Sequence, residues 1–205
     1  METPFTDLAG IDHPIVQAPI GSATCPELAA AVSNAGGLGH LAVTWRDLND
    51  TRDAIARTRD LTDRPFAVNL VLDEATTQRP TSDHLAACLD AGAEVVSLSF
   101  GDAAPYVERV HDAGGVVLQT VGSAAEARDA AAAGVDAVVA QGWEAGGHVQ
   151  SEVATMPLVP RVTDAVDVPV VAAGGIADGR GIAAALALGA DAAWLGARFV
   201  ATEEA

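Results

Sequence analysis

The sequence predicts an α/β protein with the fold of a (β/α)8 TIM barrel, and three observations lead there. Five residue pairs that end in glycine each close an alanine-rich stretch just before an apolar run. Glycine suits the position after a helix because the left-handed backbone there meets no Cβ clash. Two further junctions carry Pro65 and Pro169, since proline ends a helix and tolerates the first position of a strand. The apolar runs are nearly continuous, which is typical of parallel strands covered on both faces.

These seven helix-to-strand junctions separate eight predicted strands. The glycine pairs are Ala35-Gly36, Ala91-Gly92, Ala113-Gly114, Ala133-Gly134 and Leu188-Gly189. The strands are predicted at Pro14–Ile20, Gly39–Thr44, Phe66–Leu72, Glu94–Phe100, Val116–Val121, Ala137–Gln141, Val170–Ala173 and Ala192–Phe199. Eight β/α units favour a closed barrel, with a doubly wound open sheet as the alternative. We expect residues 1–205 to form one barrel domain.

The predicted helices begin at recognisable capping residues, and no helix is predicted after strand eight. Ser123 with Glu126, and Thr24 with Glu27, match the capping-box pattern, and Asp178 is placed to cap the helix that follows it. After strand eight the chain ends in "VATEEA", so we expect the barrel to lack its final helix and a C-terminal region. Either a partner subunit, as in a homo-oligomer, covers the exposed flank, or the chain is a fragment of something longer.

Charge and composition restrict the classes of partner. The net charge is −17 and all 11 basic residues are arginine. Such a surface repels nucleic acid and anionic membranes, so we expect neither as a partner. It is explained either by solubility or by adaptation to high salt. No apolar run is long enough for a membrane helix and no signal peptide is evident, which together with two isolated cysteines, Cys25 and Cys88, favours the cytoplasm.

In a barrel of this kind the active site lies at the carboxyl ends of the strands. Gly174 and Gly175 follow strand seven directly before a helix, and Gly196 lies on strand eight near Arg198. Glycines let backbone N–H groups approach an anion, and a helix N-terminus favours negative charge. This end of the sequence therefore predicts a phosphate site, the alternative being that Gly174-Gly175 is only a tight turn.

Strand six ends in "QGWEAGGHVQ", which carries a single imidazole, His148, behind Gly146 and Gly147. No cysteine, histidine or carboxylate cluster has metal-binding spacing around it, and no G-x-S-x-G motif is present. His148 is either a loop residue without a task or a general base or hydrogen-bond donor at the barrel mouth. The glycine-rich "NAGGLGH" follows a helix rather than a strand, so we interpret it as a helix C-cap and turn. The other histidines are interpreted as surface or packing residues.

Five segments together resemble the nitronate monooxygenase family, formerly called 2-nitropropane dioxygenase. They are "QAPIG", "AGGLG", "QGWEAGGH", "AAGGI" and "GADAAWLGARF", in this order over nearly the whole chain. The resemblance implies an FMN-binding barrel and a catalytic role for His148. It places the FMN phosphate against Gly174, Gly175 and Gly196. The residues that match flavin-lining or strand-end positions are Ala18, Pro19, Asn69, Gln119, Gln141, Gly146 and Gly147.

The family resemblance also implies a reaction. A nitronate or nitroalkane would be oxidised with O2 through FMN to a carbonyl compound and nitrite, with His148 removing the α-proton or holding the nitro group. Trp143 is either a wall of the substrate pocket or a packing residue. Two alternatives stay open: NAD(P)H-dependent reduction of quinones or enoyl thioesters on the same scaffold, and a truncated FMN-binding barrel without activity. Gln150 departs from the family by standing where many relatives have glycine.

Overall fold

The computed structural model describes residues 1–73, 75–77 and 79–205. The strands are β1 Ile15–Gln17, β2 Gly39–Ala42, β3 Phe66–Val71, β4 Val95–Ser99, β5 Val116–Val121, β6 Ala137–Gln141, β7 Val170–Ala173 and β8 Ala192–Leu195. The helices are α1 Pro4–Ala9, α2 Pro26–Asn34, α3 Leu48–Leu61, α4 Thr81–Asp90, α5 Ala104–Asp112, α6 Ala124–Ala132, α7 Thr155–Thr163 and α8 Gly179–Ala187, with short 3-10 turns at Gly21–Ala23 and Phe199–Ala201.

The eight strands are all parallel and form one nearly closed barrel. The sheet order is β1-β8-β7-β6-β5-β4-β3-β2, and β1 meets β2 through a bridge between Val16 and Leu38. Leu38 N–H donates to the carbonyl of Ile15, and Gln17 N–H donates to that of Leu38, both at 2.9 Å. The buried side chain of Gln17 adds a bond, since its Oε1 accepts from His40 N–H at 2.9 Å. The TIM barrel is therefore confirmed over the open doubly wound sheet.

Two apolar clusters stabilise the barrel. One fills its interior and includes Val16, Leu38, Val139 and Trp194. The other lies between the strands and the surrounding helices. Helix α1, which the sequence did not predict, contributes the fully buried Phe5 to the interior cluster. Burying a phenyl ring stabilises such a core by roughly 2–3 kcal/mol, so α1 is an integral part of the barrel.

The helix ends confirm most of the predicted signals. The five predicted C-terminal glycines all have positive φ, including Gly36 at +88° just past Ala35, the C-cap of α2, which confirms the interpretation of "NAGGLGH". Asp178 accepts from two N–H groups at the start of α8, as predicted. Ser123 is the N-cap of α6, although the carboxylate of Glu126 accepts from Gly122 N–H. The prediction that Thr24 caps α2 is wrong.

Thr24 does not cap α2 because its hydroxyl makes a competing hydrogen bond. Thr24 Oγ1 accepts from Ile20 N–H at 2.6 Å, so Cys25 occupies the N-cap position of α2 without a side-chain cap. Strands β1 and β8 are also each four residues shorter than predicted, whereas β2, β3 and β4 are shorter by only one or two residues. After Gln17 the chain turns into the 3-10 segment Gly21–Ala23, and after Leu195 it turns because Phe199 N–H donates to the Gly196 carbonyl at 2.8 Å. Both changes place backbone at the barrel mouth rather than in the sheet.

Candidate functional site at the barrel mouth

A polar group lies on the interior side of β3 and β4 near the mouth. Asn69 is only 7% exposed, and its Nδ2 donates to the carbonyl of Ser97 at 3.2 Å and to Ser97 Oγ at 2.9 Å. Ser99 Oγ lies 3.4 Å away. Asn69 Oδ1 accepts no hydrogen bond from the residues that the structure describes. An unused acceptor here suits a ligand that donates a hydrogen bond.

The loop after β6 presents His148 and is anchored by the side chain of Gln141. Gln141 Nε2 donates to the His148 carbonyl at 3.2 Å, and its Oε1 accepts from Gln150 N–H at 2.9 Å. The Gln150 side chain in turn donates to Glu126 at the start of α6. Gln150 therefore ties the loop to a neighbouring β/α unit. Gly147 has φ +75°, which explains why glycine stands before the histidine.

The imidazole of His148 is exposed and contacts two aromatic rings. Trp45 stacks on it with ring centroids 6.3 Å apart and an interplanar angle of 26°. Phe100 meets it edge-on at 5.9 Å and 67°. The three rings come from the loops after β2, β4 and β6. Sequence reasoning missed Trp45 and Phe100, and no local pattern marks either of them.

The glycines after β7 form the predicted turn with unusual backbone. Gly174 has φ +114° and Gly175 has φ +70°. A Cβ on Gly174 would lie 2.6 Å from Thr155 Oγ1, so only glycine fits. Among the described residues, no acceptor takes the N–H groups of Gly174, Gly175 or Ile176. Consecutive free N–H groups in a turn make an anion-binding concavity.

The loops after β8 and β1 meet beside this turn. Ala18 N–H donates to the Leu195 carbonyl at 2.8 Å, and a Cβ on Gly196 would touch Ala18 Cβ at 3.5 Å. Pro19 is half-buried next to Ala18. Arg198 is exposed and pairs with no carboxylate in the described part of the chain. Backbone donors and a free guanidinium therefore share one end of the barrel.

Gln119 differs from the other predicted residues because it does not line the interior. It lies on the same face of β5 as Val117 and Val121, which pack against the helices, whereas Leu118 on the opposite face belongs to the interior cluster. Its Nε2 donates to the Gly101 carbonyl at 2.9 Å. The side chain thus supports the loop after β4 from the helix side of the sheet.

Glu144 is a third residue that sequence reasoning missed. Its carboxylate accepts from Thr155 N–H at 2.7 Å and from Thr155 Oγ1 at 2.9 Å, so it caps the start of α7 from the His148 loop. Partial burial by itself would raise the pKa of Glu144, but these hydrogen bonds prevail and lower it. The loop is therefore held at three points: Gln141, Glu144 and Gln150.

His40 is the one histidine inside the barrel. Its ring is fully buried against Trp194, with centroids 4.5 Å apart, and neither ring nitrogen has a partner among the described residues. Burial lowers the pKa of His40 to about 3. The expectation of a packing residue is confirmed, while His13 and His111 are exposed as expected.

The residues that the structure describes include no group of three metal-binding side chains. Nor does any helix in that part of the chain reach the length and apolarity needed to cross a bilayer. Together with the fold, the mouth defines a parallel β/α barrel in which the histidine loop after β6 lies beside the glycine turn after β7. The chain belongs to the nitronate monooxygenase family, whose model, described as "Nitronate monooxygenase", matches residues 2–205. The resemblance inferred from the sequence is thereby confirmed.

Relatives carry several names. The chain is 41% identical, over all of its own length and 56% of the relative's, to a (3aS,4S,5R,7aS)-5-hydroxy-7a-methyl-1-oxo-octahydro-1H-indene-4-carboxyl-CoA dehydrogenase of Rhodococcus jostii. It is 39% identical to a nitronate monooxygenase of Pseudomonas aeruginosa, covering 98% of this chain and 69% of that protein. The structure of FabK from Thermotoga maritima matches with a TM-score of 0.94 at 44% identity, covering 100% of this chain and 64% of that one. The chain therefore spans a little over half to about two thirds of these relatives.

Proposed function

We propose that this chain forms the flavin-binding barrel of an FMN-dependent oxidoreductase that oxidises alkyl nitronates or nitroalkanes with O2 to a carbonyl compound and nitrite. One observation carries the proposal: His148 is presented at the barrel mouth by a loop that Gln141 anchors, at the same end as the free N–H groups of Gly174 and Gly175. Membership of the nitronate monooxygenase family supports it.

The residues at the mouth fit FMN. The N–H groups at Gly174 and Gly175, with Gly196 and Arg198 nearby, would hold its phosphate. Ala18, Pro19, Asn69 and Gln141 would border the ring, with Gly146 and Gly147 allowing close approach of the histidine loop. Gln119 is left out of this set because its side chain faces the helices. When bound, FMN supplies electron transfer between the substrate and O2.

His148 would act on the substrate. Its exposed imidazole could take the α-proton of a neutral nitroalkane or donate a hydrogen bond to the nitro group. The strongly acidic chain with two free thiols, Cys25 and Cys88, suits a small-molecule enzyme of the cytoplasm. We also propose that the chain forms a homo-oligomer.

A second candidate is NAD(P)H-dependent reduction of quinones or enoyl thioesters on the same flavin site. The names of two relatives favour it, since one is a carboxyl-CoA dehydrogenase and another is FabK. The two reactions differ in their electron donor. Rapid bleaching of bound flavin by NADH without oxygen would support the second candidate, and nitrite release from a nitronate would support the first.

The deciding first experiment is a visible spectrum of the purified protein in high-salt buffer, before and after FMN is added. Bands near about 370 and 450 nm that stay with the protein through gel filtration would support an assembled flavin site. A colourless protein that never retains FMN would contradict the proposal. If FMN is retained, nitronate assays on the flavin-loaded form separate an active enzyme from a barrel that only binds FMN.

A further inference from the structure

We propose that Trp45 and Phe100 are positioning residues that hold the imidazole of His148 in place over the barrel mouth. Only the catalytic consequence of this proposal rests on the function proposed above for His148. The placement of the ring can be tested in the protein without flavin or substrate.

The His148 loop does not orient the imidazole by itself. Gln141 and Gln150 hold the backbone on either side of the ring. The ring nitrogens have no hydrogen-bond partner within the described residues, and a Cβ at Gly146 or Gly147 would meet nothing within 4 Å. Loop packing therefore leaves the side chain free to choose among rotamers, and only the two aromatic contacts distinguish one of them.

The indole of Trp45 is held in one orientation although the residue is 45% exposed. Its Nε1 donates to the Thr76 carbonyl at 3.1 Å, which determines the rotation of the indole. The next residue is held as well: Arg46 donates to the carbonyls of Ala42 and Thr24, and its own carbonyl lies 2.9 Å from His84 Nε2. An anchored indole offers a flat face on which the imidazole stacks with an offset.

Phe100 is notable for its backbone. Its φ is +59°, the only positive value at a non-glycine among the described residues. Bulky side chains rarely adopt this conformation, and strain of this kind accumulates at functional sites. Gly101 explains how the turn is imposed, because a Cβ there would lie 2.5 Å from Leu72 Cβ and its carbonyl accepts from Gln119.

Glycine at position 100 would adopt the same turn without strain. The chain instead carries a phenyl ring there, and that ring meets His148 edge-on at 5.9 Å. The stacking contact with Trp45 and the edge contact with Phe100 together restrict the imidazole to one orientation. A base that is already oriented avoids part of the entropic cost of reaching the substrate proton.

The direct test is NMR of the histidine C–H signals in the flavin-free protein. Loss of one signal in His148→Gln assigns the resonance. Ring currents from Trp45 and Phe100 should displace it from the position of a free histidine. Trp45→Leu and Phe100→Leu should each move it towards that position. Trp143→Leu is the matched control, because Trp143 is 64% exposed on the same loop and forms no ring pair with His148 in the described part of the chain.

Phe100→Gly is a second variant at this position, chosen because it should not disturb folding. It removes the ring while relieving the backbone, so the protein should stay folded, with melting no lower than wild type, while the His148 signal still moves. A His148 signal that is unchanged in Trp45→Leu and Phe100→Gly would overturn the proposal, as would an equal movement in Trp143→Leu.

Kinetics of the flavin-loaded protein test the catalytic consequence. With a neutral primary nitroalkane, Trp45→Leu and Phe100→Gly should lower kcat by roughly tenfold, because a small misplacement of the base is costly. With the preformed nitronate, which needs no proton removal, kcat should change little. Wild-type kcat on the nitroalkane in both variants would refute positioning. If His148→Gln itself retains full activity, the proposed function fails, while the NMR result still decides whether the two rings hold the imidazole.

Discussion

The side-chain amide of Gln141 spans the histidine loop, donating to the His148 carbonyl at 3.2 Å and accepting from Gln150 N–H at 2.9 Å. Replacing Gln141 with leucine removes both bonds. We expect faster hydrogen exchange over residues 142–150 and a turnover lower by about tenfold. Gln141→Glu is the matched variant, since it keeps the acceptor for Gln150 and should show the smaller effect. If residues 142–150 exchange hydrogen equally slowly in both variants and in the wild type, Gln141 does not anchor the loop.

His148→Asn should leave flavin binding intact, because the backbone rather than the imidazole of His148 bonds to Gln141. Turnover of a neutral nitroalkane should fall by about 10²–10⁴-fold, the range of a lost general base. Turnover of the nitronate should fall much less. Steady-state nitrite release with both substrates measures the difference, and an unchanged nitroalkane rate would rule out a base role.

Gly174→Ala tests the phosphate site. Its φ of +114° and the 2.6 Å approach of a Cβ to Thr155 Oγ1 make alanine strained there, by on the order of 1–3 kcal/mol. We expect FMN affinity to weaken by about tenfold or more, measured by quenching of flavin fluorescence. Gly179→Ala is the control, because a Cβ at the first residue of α8 meets nothing within 4 Å. Equal FMN affinity in the two variants would argue against a phosphate at Gly174.

Burial of His40 makes stability depend on pH. The pKa of the ring is lowered from 6.5 to about 3 in the fold, so between these values the unfolded chain binds a proton that the folded protein refuses. Stability is therefore retained above pH 6.5 and lost as the pH falls towards 3. From about pH 7.5 to about pH 5.5 this one group should cost about 1.4 kcal/mol.

Urea unfolding at both pH values measures this loss. His40→Leu should remove about that amount of the pH dependence. It should not cost much stability at neutral pH, because two unpartnered ring nitrogens leave the interior. His13→Gln, at an exposed histidine, should keep the wild-type dependence. A slope that His40→Leu leaves unaltered would mean that the ring is solvated in solution.

The charge of −17 predicts that salt stabilises the fold. At about 0.1 M salt the carboxylates repel one another over roughly 10 Å, and at about 1 M that range falls to roughly 3 Å. We expect the melting temperature to rise by several degrees in KCl. A neutral osmolyte separates screening from solute exclusion, because only KCl screens charge. Melting that ignores KCl would leave solubility as the better explanation of the acidic surface.

The order of strands and helices could be predicted from the sequence because its signals are local. A glycine with a left-handed backbone after α2, α4, α5, α6 and α8, and apolar runs buried on both faces, depend only on neighbouring residues. The same holds for the glycines before His148 and after β7. The class of fold, the family resemblance and the histidine loop therefore followed from the chain alone.

Other features depended on which strand lies beside which. Gln119 looked like a mouth residue, but the register of β5 turns it towards the helices. Trp45, Phe100 and His148 lie far apart in sequence, and only the ring of strands brings their loops together. The sequence by itself determined the barrel and the loop that carries His148. Only the tertiary structure decided what surrounds that histidine, because contacts between loops are set by strand pairing rather than by local pattern.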